Sequence, residues 1–124
     1  MVKRKYILYI EDEIELSEIV KEELESECYK VVTSETYTDA IKKLSNQKFD
    51  LIIADLQLKK GSGDMVIELI KQDSKNFNYS TPVFVASGMI TSDILKRVGS
   101  HIDHAFVKPF EIDELLDKVK KFIA

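Results

Sequence analysis

Apolar runs of strand length alternate with stretches of helical periodicity along the whole chain, and this alternation restricts the fold more than any other feature. Tyr6-Ile-Leu-Tyr-Ile10, Leu51-Ile-Ile-Ala54 and Pro82-Val-Phe-Val-Ala86 are continuous apolar runs, the pattern of strands buried on both faces. Shorter runs around Tyr29–Thr33 and at Ala105–Val107 predict two further strands. Between them, Leu16, Ile19, Val20 and Leu24 recur at helical spacing within 13–27, with acids on the other face. Thr36 suits the N-cap of a helix carrying Tyr37, Ala40, Ile41 and Leu44 inward. After the break at Gly61-Ser-Gly63, Val66, Ile67, Leu69 and Ile70 predict a third helix. Residues 90–98 carry a shorter, weaker helical pattern that Gly99 is expected to end. The last helix has Ile112, Leu115, Leu116, Val119 and Phe122 on one stripe, with acids in its first turn and lysines in its last, as the helix dipole favours. Strands alternating with helices imply parallel βαβ units and an open sheet covered on both faces. At 124 residues the chain is too short for an eight-stranded barrel, which takes about 200 or more. The expectation is an α/β protein, a three-layer doubly wound (βα)5 sandwich with a five-stranded parallel sheet, forming a single domain over 1–124.

Composition removes several functional classes. A chain of this size buries about two-thirds of its surface on folding, enough for a core without disulfides or structural metal. Its 44% apolar and 32% charged residues exclude a disordered chain. The net charge of −4 argues against direct nucleic-acid binding, which usually needs a basic footprint. That charge is unevenly spread: residues 11–27 hold nine acids and one lysine, so this segment is net −8 and the remainder net +4. No apolar run reaches membrane-span length. Cys28 is the only cysteine, which excludes an internal disulfide and fits a reducing, cytoplasmic setting; it is expected to be a partly buried position at a helix end.

Ligands of doubly wound sheets bind at the carboxyl ends of the strands, so the residue that ends each strand matters most. The first strand ends at Glu11-Asp12-Glu13, the third at Asp55, the fourth at Ser87-Gly88 and the fifth at Lys108-Pro109. An Asp or Ser after a strand often only caps the next helix, but capping does not call for a lysine facing three acids. Converging carboxylates repel: two unit charges about 4 Å apart cost roughly 4 kcal/mol at an effective dielectric constant near 20. A hard divalent cation relieves that repulsion, and an all-oxygen site with few protein ligands suits Mg²⁺. One carboxylate would then be able to attack phosphorus and form an acyl phosphate, with Lys108 and Ser87 binding the remaining phosphoryl oxygens.

With these residues in view, the chain resembles the receiver domain of two-component response regulators, the CheY-like family, over about residues 4–123. Ile7-Leu-Tyr-Ile-Glu-Asp-Glu13 is similar to the family's acidic opening, and Phe49-Asp-Leu-Ile-Ile-Ala-Asp-Leu56 to its phosphoacceptor strand, with Gly63 eight residues on. Thr81-Pro-Val-Phe-Val-Ala-Ser87 resembles the hydroxyl strand and Phe106-Val-Lys-Pro-Phe110 the lysine–proline turn. The separations of 43, 32 and 21 residues from Asp12 through Asp55 and Ser87 to Lys108 give these short motifs their specificity. The resemblance implies strand order 2-1-3-4-5 and a division of roles. Asp55 would accept a phosphoryl group from the phosphohistidine of a histidine kinase or phosphotransfer domain. Asp12 and Asp55 would ligate Mg²⁺ with the backbone carbonyl of Gln57, and Glu11 would hold a metal-bound water. Ser87 and Lys108 would bind the phosphoryl group, and Lys108-Pro109 would be cis. Output is expected through a surface built on the last two helices and the fifth strand, toward an unnamed downstream protein, with no residues left for an output domain.

The sequence departs from the family pattern near the switch. Ala105 stands where an aromatic residue is common, three before the lysine, and Phe106 should face the other way because strand side chains alternate. Lys59 stands where proline is usual and is followed by Lys60. These lysines read as solvated loop residues, with steering of a phosphorylated partner as the alternative. His101 and His104 flank Asp103 without further metal-ligand partners. Other functions fit less well. A flavodoxin-like redox protein needs a phosphate loop where Glu11-Asp12-Glu13 stands, and an aspartate-nucleophile phosphohydrolase needs Asp-x-Asp where Ile14 follows Asp12 by two. A pseudo-receiver that works by protein contacts alone stays open through Ala105.

Overall fold

The computed structural model describes residues 3–124. The strands are β1 (Tyr6–Ile10), β2 (Lys30–Ser34), β3 (Leu51–Ala54), β4 (Val83–Ser87) and β5 (His104–Val107). The helices are α1 (Ile14–Ser26), α2 (Tyr37–Asn46), α3 (Gly63–Lys71), α4 (Ser92–Val98) and α5 (Ile112–Ile123), with a 3-10 turn at Gly99–His101. All strand pairs are parallel, in the order β2-β1-β3-β4-β5. This is the expected doubly wound sheet.

Period-two alternation in the buried strands supplies two cores. Ile7 and Tyr9 of β1 face one side, where they join Leu51, Ile53, Phe84 and Phe106 beneath Val20 and Leu24 of α1 and Leu115 and Val119 of α5. Leu8 and Ile10 face the other, with Ile52, Val83 and Val85 against Leu44, Val66, Ile67 and Val98. Thr36 caps α2 as its position predicts, its hydroxyl accepting the Asp39 N–H at 3.1 Å.

Three residues expected to point inward do not. Ile19, Leu69 and Phe122 are 51%, 41% and 43% exposed. A helix lying on a sheet buries only a narrow stripe, and in α1 that stripe is Ser17, Val20 and Leu24. In α5, Ile123 takes the buried place, while Phe122 keeps one edge against Phe84 with ring centroids 4.9 Å apart. Cys28 is exposed rather than partly buried and has φ of 71°. It occupies the left-handed position of a Schellman turn, in which Tyr29 N–H reaches the Leu24 carbonyl at 3.3 Å and Cys28 N–H the Glu25 carbonyl at 3.1 Å. The α4 helix ends at Val98 with Gly99 as its C-cap, as expected, but Gly99 keeps helical dihedrals and the chain continues into the 3-10 turn.

Candidate functional site

The sheet register decides which side chains meet. Ile10 pairs with Ala54, Ala54 with Val85, and Ser87 with Val107, so four strands end along one edge. The ladder then continues one residue beyond the strands. Glu11 N–H donates to Ser34 O, Asp55 N–H to Ile10 O and Lys108 N–H to Ser87 O, each at 2.9 Å. The backbones of the three charged residues are thereby fixed by sheet hydrogen bonds before their side chains interact. Gly63, at the start of α3, packs directly on this edge. A Cβ there would be driven into the Asp55 carbonyl oxygen.

Within that frame, Lys108 Nζ lies 2.5 Å from Glu11 Oε1, 3.0 Å from Asp55 Oδ2 and 3.5 Å from Glu13 Oε2. One carboxylate oxygen from each of Glu11, Asp12 and Asp55 lies within 4.8 Å of the others. Glu11 and Asp55 are buried and Asp12 is half-buried. The second oxygens are held too: Asp55 Oδ1 accepts the Gln57 N–H at 2.9 Å, Asp12 Oδ2 the Lys59 N–H at 2.7 Å, and Glu11 Oε2 the Glu13 N–H at 3.2 Å. Burial pushes the Glu11 carboxyl above its ordinary range, and hydrogen bonds from Lys108 and the Glu13 N–H only partly offset this. For Lys108, burial pulls downward, but its bonds to Glu11 and Asp55 outweigh it and leave the ammonium held above its usual value. The result is a cationic side chain inserted among acids on a shared wall. Three clustered carboxylate oxygens with one facing ammonium make an all-oxygen donor set that fits a hard divalent cation.

Ser87 lies on the same edge, but its hydroxyl forms no hydrogen bond with Asp55 and is engaged elsewhere. Its hydroxyl stands 3.1 Å from Gln57 Oε1 and 3.0 Å from the Met89 carbonyl, and it accepts the Met89 N–H at 3.3 Å. Gln57 thus meets Asp55 through its backbone and Ser87 through its side chain. Ala105 is exposed on β5, while Phe106 turns into the α1/α5 core, the alternation expected of a strand. Lys108-Pro109 is cis. Asp103 accepts the Val83 N–H at 2.8 Å and His104 packs edge-on to Phe84 and Phe106, so these residues serve the sheet. Two participants escaped the sequence reading. Tyr9, fully buried beneath the site, donates its hydroxyl to Glu11 Oε1 at 3.4 Å; burial and the Glu11 charge hold the phenol above its usual range. The backbone N–H of Lys59 anchors Asp12, a bond that depends on loop conformation and has no sequence signature.

The response regulator receiver domain model matches residues 7–120. The chain belongs to the response regulator receiver domain family. Transcriptional regulatory protein CrdR of Helicobacter pylori is 32% identical over 120 residues, which cover 96% of this chain and 55% of that protein. The receiver domain here spans about half the length of the curated relatives it matches. A CheY-like receiver domain protein of Methanospirillum hungatei superposes with a TM-score of 0.87 at 22% identity, covering 96% of this chain and 93% of that one. The receiver domain of sensor histidine kinase PA1611 from Pseudomonas aeruginosa, solved with magnesium coordinated in its active-site cleft, superposes with a TM-score of 0.83 at 20% identity, covering 98% of each chain. The chain is therefore a receiver domain of two-component response regulators, a signalling domain. Among the described residues, no helix is long and apolar enough to cross a membrane.

Proposed function

We propose that this receiver domain takes a phosphoryl group onto Asp55 from the phosphohistidine of a histidine kinase or phosphotransfer domain, and that the modification changes its contacts with a downstream protein. The observation that carries this reading is the position of Lys108, 3.0 Å from Asp55 and 2.5 Å from Glu11 beside a three-carboxylate cluster. A half-buried ammonium facing a nucleophilic carboxylate suits the binding of phosphoryl oxygens as they arrive. In the transfer, an Asp55 oxygen bonds to phosphorus, the donor's N–P bond breaks, and its electron pair stays on the imidazole nitrogen. Asp12, Asp55 and the Gln57 carbonyl would hold Mg²⁺, with Glu11 contributing through a water. The cation would offset negative charge on the phosphoryl oxygens. Lys108 would exchange a carboxylate partner for a phosphoryl oxygen, and the Ser87 hydroxyl would leave Met89 and Gln57 to donate to another. Leu95, Ala105 and Val107 are exposed on the α4–β5–α5 side and offer the surface for the downstream contact.

Incubation with Mg²⁺ and a small phosphodonor, followed by intact mass measurement, tests the reading. One phosphoryl adduct is expected on the unaltered protein and none on Asp55→Asn. An adduct that persists in Asp55→Asn would remove Asp55 from the mechanism. A second reading, an interaction module without phosphorylation switching, is favoured by Ala105 at the usual aromatic position, and it requires that no donor give an adduct.

A further inference from the structure

The loop between β3 and α3 carries two cations that the site as described does not use. Lys59 and Lys60 are both exposed, and among the described residues neither forms an ion pair. Their backbone is pinned. Leu58 is buried in the α2–α4 core, Lys59 N–H donates to Asp12 Oδ2 at 2.7 Å, and the Lys60 carbonyl accepts the Tyr37 N–H at 3.4 Å. Gly61 follows with φ of 86°, packed so closely on Tyr37 that a Cβ would lie 2.6 Å from that residue's own. The loop therefore presents both ammonium groups, on four-carbon stems, from a fixed base beside the acidic cluster.

Charge at the mouth gives them a purpose. Glu11, Asp12, Glu13 and Asp55 face the single ammonium of Lys108, so the edge is strongly negative. A divalent cation would not fully neutralise it, and a phosphoryl donor is itself an anion. We propose that Lys59 and Lys60 form an electrostatic rim that draws anionic phosphoryl donors to Asp55 and favours the more highly charged ones. This rests on the phosphoacceptor reading above and adds the residues that select the donor. The rim acts on encounter, before any bond changes, and at long range, so salt should weaken it. The same two charges repel a metal cation. Removing them should therefore slow the approach of the donor and tighten the binding of Mg²⁺, opposite effects that a damaged loop would not produce together.

The test compares the unaltered protein, the Lys59→Ser/Lys60→Ser variant and the Lys59→Arg/Lys60→Arg variant. Phosphorylation rates are measured by intact mass with acetyl phosphate, a dianionic acyl phosphate, and with phosphoramidate, a less charged donor with an N–P bond. In the acetyl phosphate reaction the Asp55 oxygen bonds to phosphorus while the P–O bond to acetate breaks and acetate leaves with the electron pair. Magnesium binding is followed separately by calorimetry without donor. At low ionic strength the serine variant should lose about three- to tenfold in rate with acetyl phosphate and less with phosphoramidate, and the difference should vanish in high salt. It should bind Mg²⁺ a few-fold more tightly, and the arginine variant should match the unaltered protein in both measurements. Equal rates at low salt, a loss that salt leaves unchanged, or weaker Mg²⁺ binding in the serine variant would each overturn the rim while leaving Asp55 as phosphoacceptor. Absence of any adduct on the unaltered protein would overturn both.

Discussion

Glu11 shows most directly what the site costs the protein. It is a fully buried carboxylate kept in place by one ammonium, the Tyr9 hydroxyl and one backbone N–H, and its proton affinity is raised chiefly by burial. Between the ordinary glutamate value of 4.5 and this raised value, the folded chain holds a proton that the unfolded chain releases. Stability then falls as pH rises above 4.5 and does not recover above the raised value, the direction given by proton linkage. Glu11→Gln keeps the shape and removes the charge. In buffer free of divalent cations its urea midpoint should exceed that of the unaltered protein at pH 7, and the gap should close as pH is lowered through 4.5. Urea titrations of both proteins at several pH values check this. A variant less stable at pH 7 would show that the Lys108–Glu11 pair more than compensates burial. The same group that weakens the fold would prepare the site for a cation, a trade common at functional centres.

Among the elements, α3 and α4 share an apolar core through Val66, Ile67 and Val98, and a polar contact joins them as well. Arg97 of α4 hydrogen-bonds Asp64, whose side chain is only 4% exposed in the first turn of α3, and reaches Glu68 at 3.3 Å. Asp64 follows Gly63, which rests on the Asp55 carbonyl, so this pair links α4 to the end of β3 through one residue. Arg97→Ala should strand a buried carboxylate and lower the Tm by a few degrees. Asp64→Leu combined with Arg97→Ala should recover most of that loss, because no buried charge then lacks a partner. Thermal melts of the single and double variants check this, and additive losses would show that the two side chains do not depend on each other. This pair also marks the boundary of what the sequence discloses. The strands, their parallel orientation and the residues that end each strand follow from short-range pattern, since continuous apolar runs, strand–helix alternation and strand-end polar groups are local signals, whereas the order 2-1-3-4-5 followed only from the family resemblance. The inward placing of Ile19, Leu69 and Phe122 failed because helical periodicity gives a stripe but not its width, which the neighbouring sheet sets. The Asp64–Arg97 pair, the Ser87–Gln57 contact and the Lys59 bond to Asp12 join residues 33, 30 and 47 apart, and nothing local announces them. Cys28 took the left-handed place that glycine usually fills, so the turn after α1 carried no glycine signal.

Over the whole molecule, burial is graded across the sheet. Every residue of β3 and β4 is buried, as are four of five in β1, and these strands take core from both faces. At the β5 edge only Phe106 of four strand residues is buried, and α4 is a seven-residue helix with Val98 alone buried. A helix that short has little stability of its own, and an edge strand lacks a ladder on one side. Local opening should therefore be easiest over 88–107, the segment that follows Ser87 and leads to Lys108. Hydrogen exchange read by mass spectrometry should show amides of α4 and β5 exchanging on the order of a hundredfold faster than those of β1 and β3 under native conditions. Protection at 92–107 equal to that of the central strands would mean that the α3–α4 ion pairs and the aromatic contacts of Phe84, His104 and Phe106 fasten this edge as firmly as the core. The expected contrast places the least stable part of the fold next to the residues proposed to bind the phosphoryl group. A few hydrogen bonds exchanged at Ser87 and Lys108 would then be enough to shift the conformations of α4 and β5, even with Ala105 in place of an aromatic side chain, because the element to be moved is held by so little buried surface.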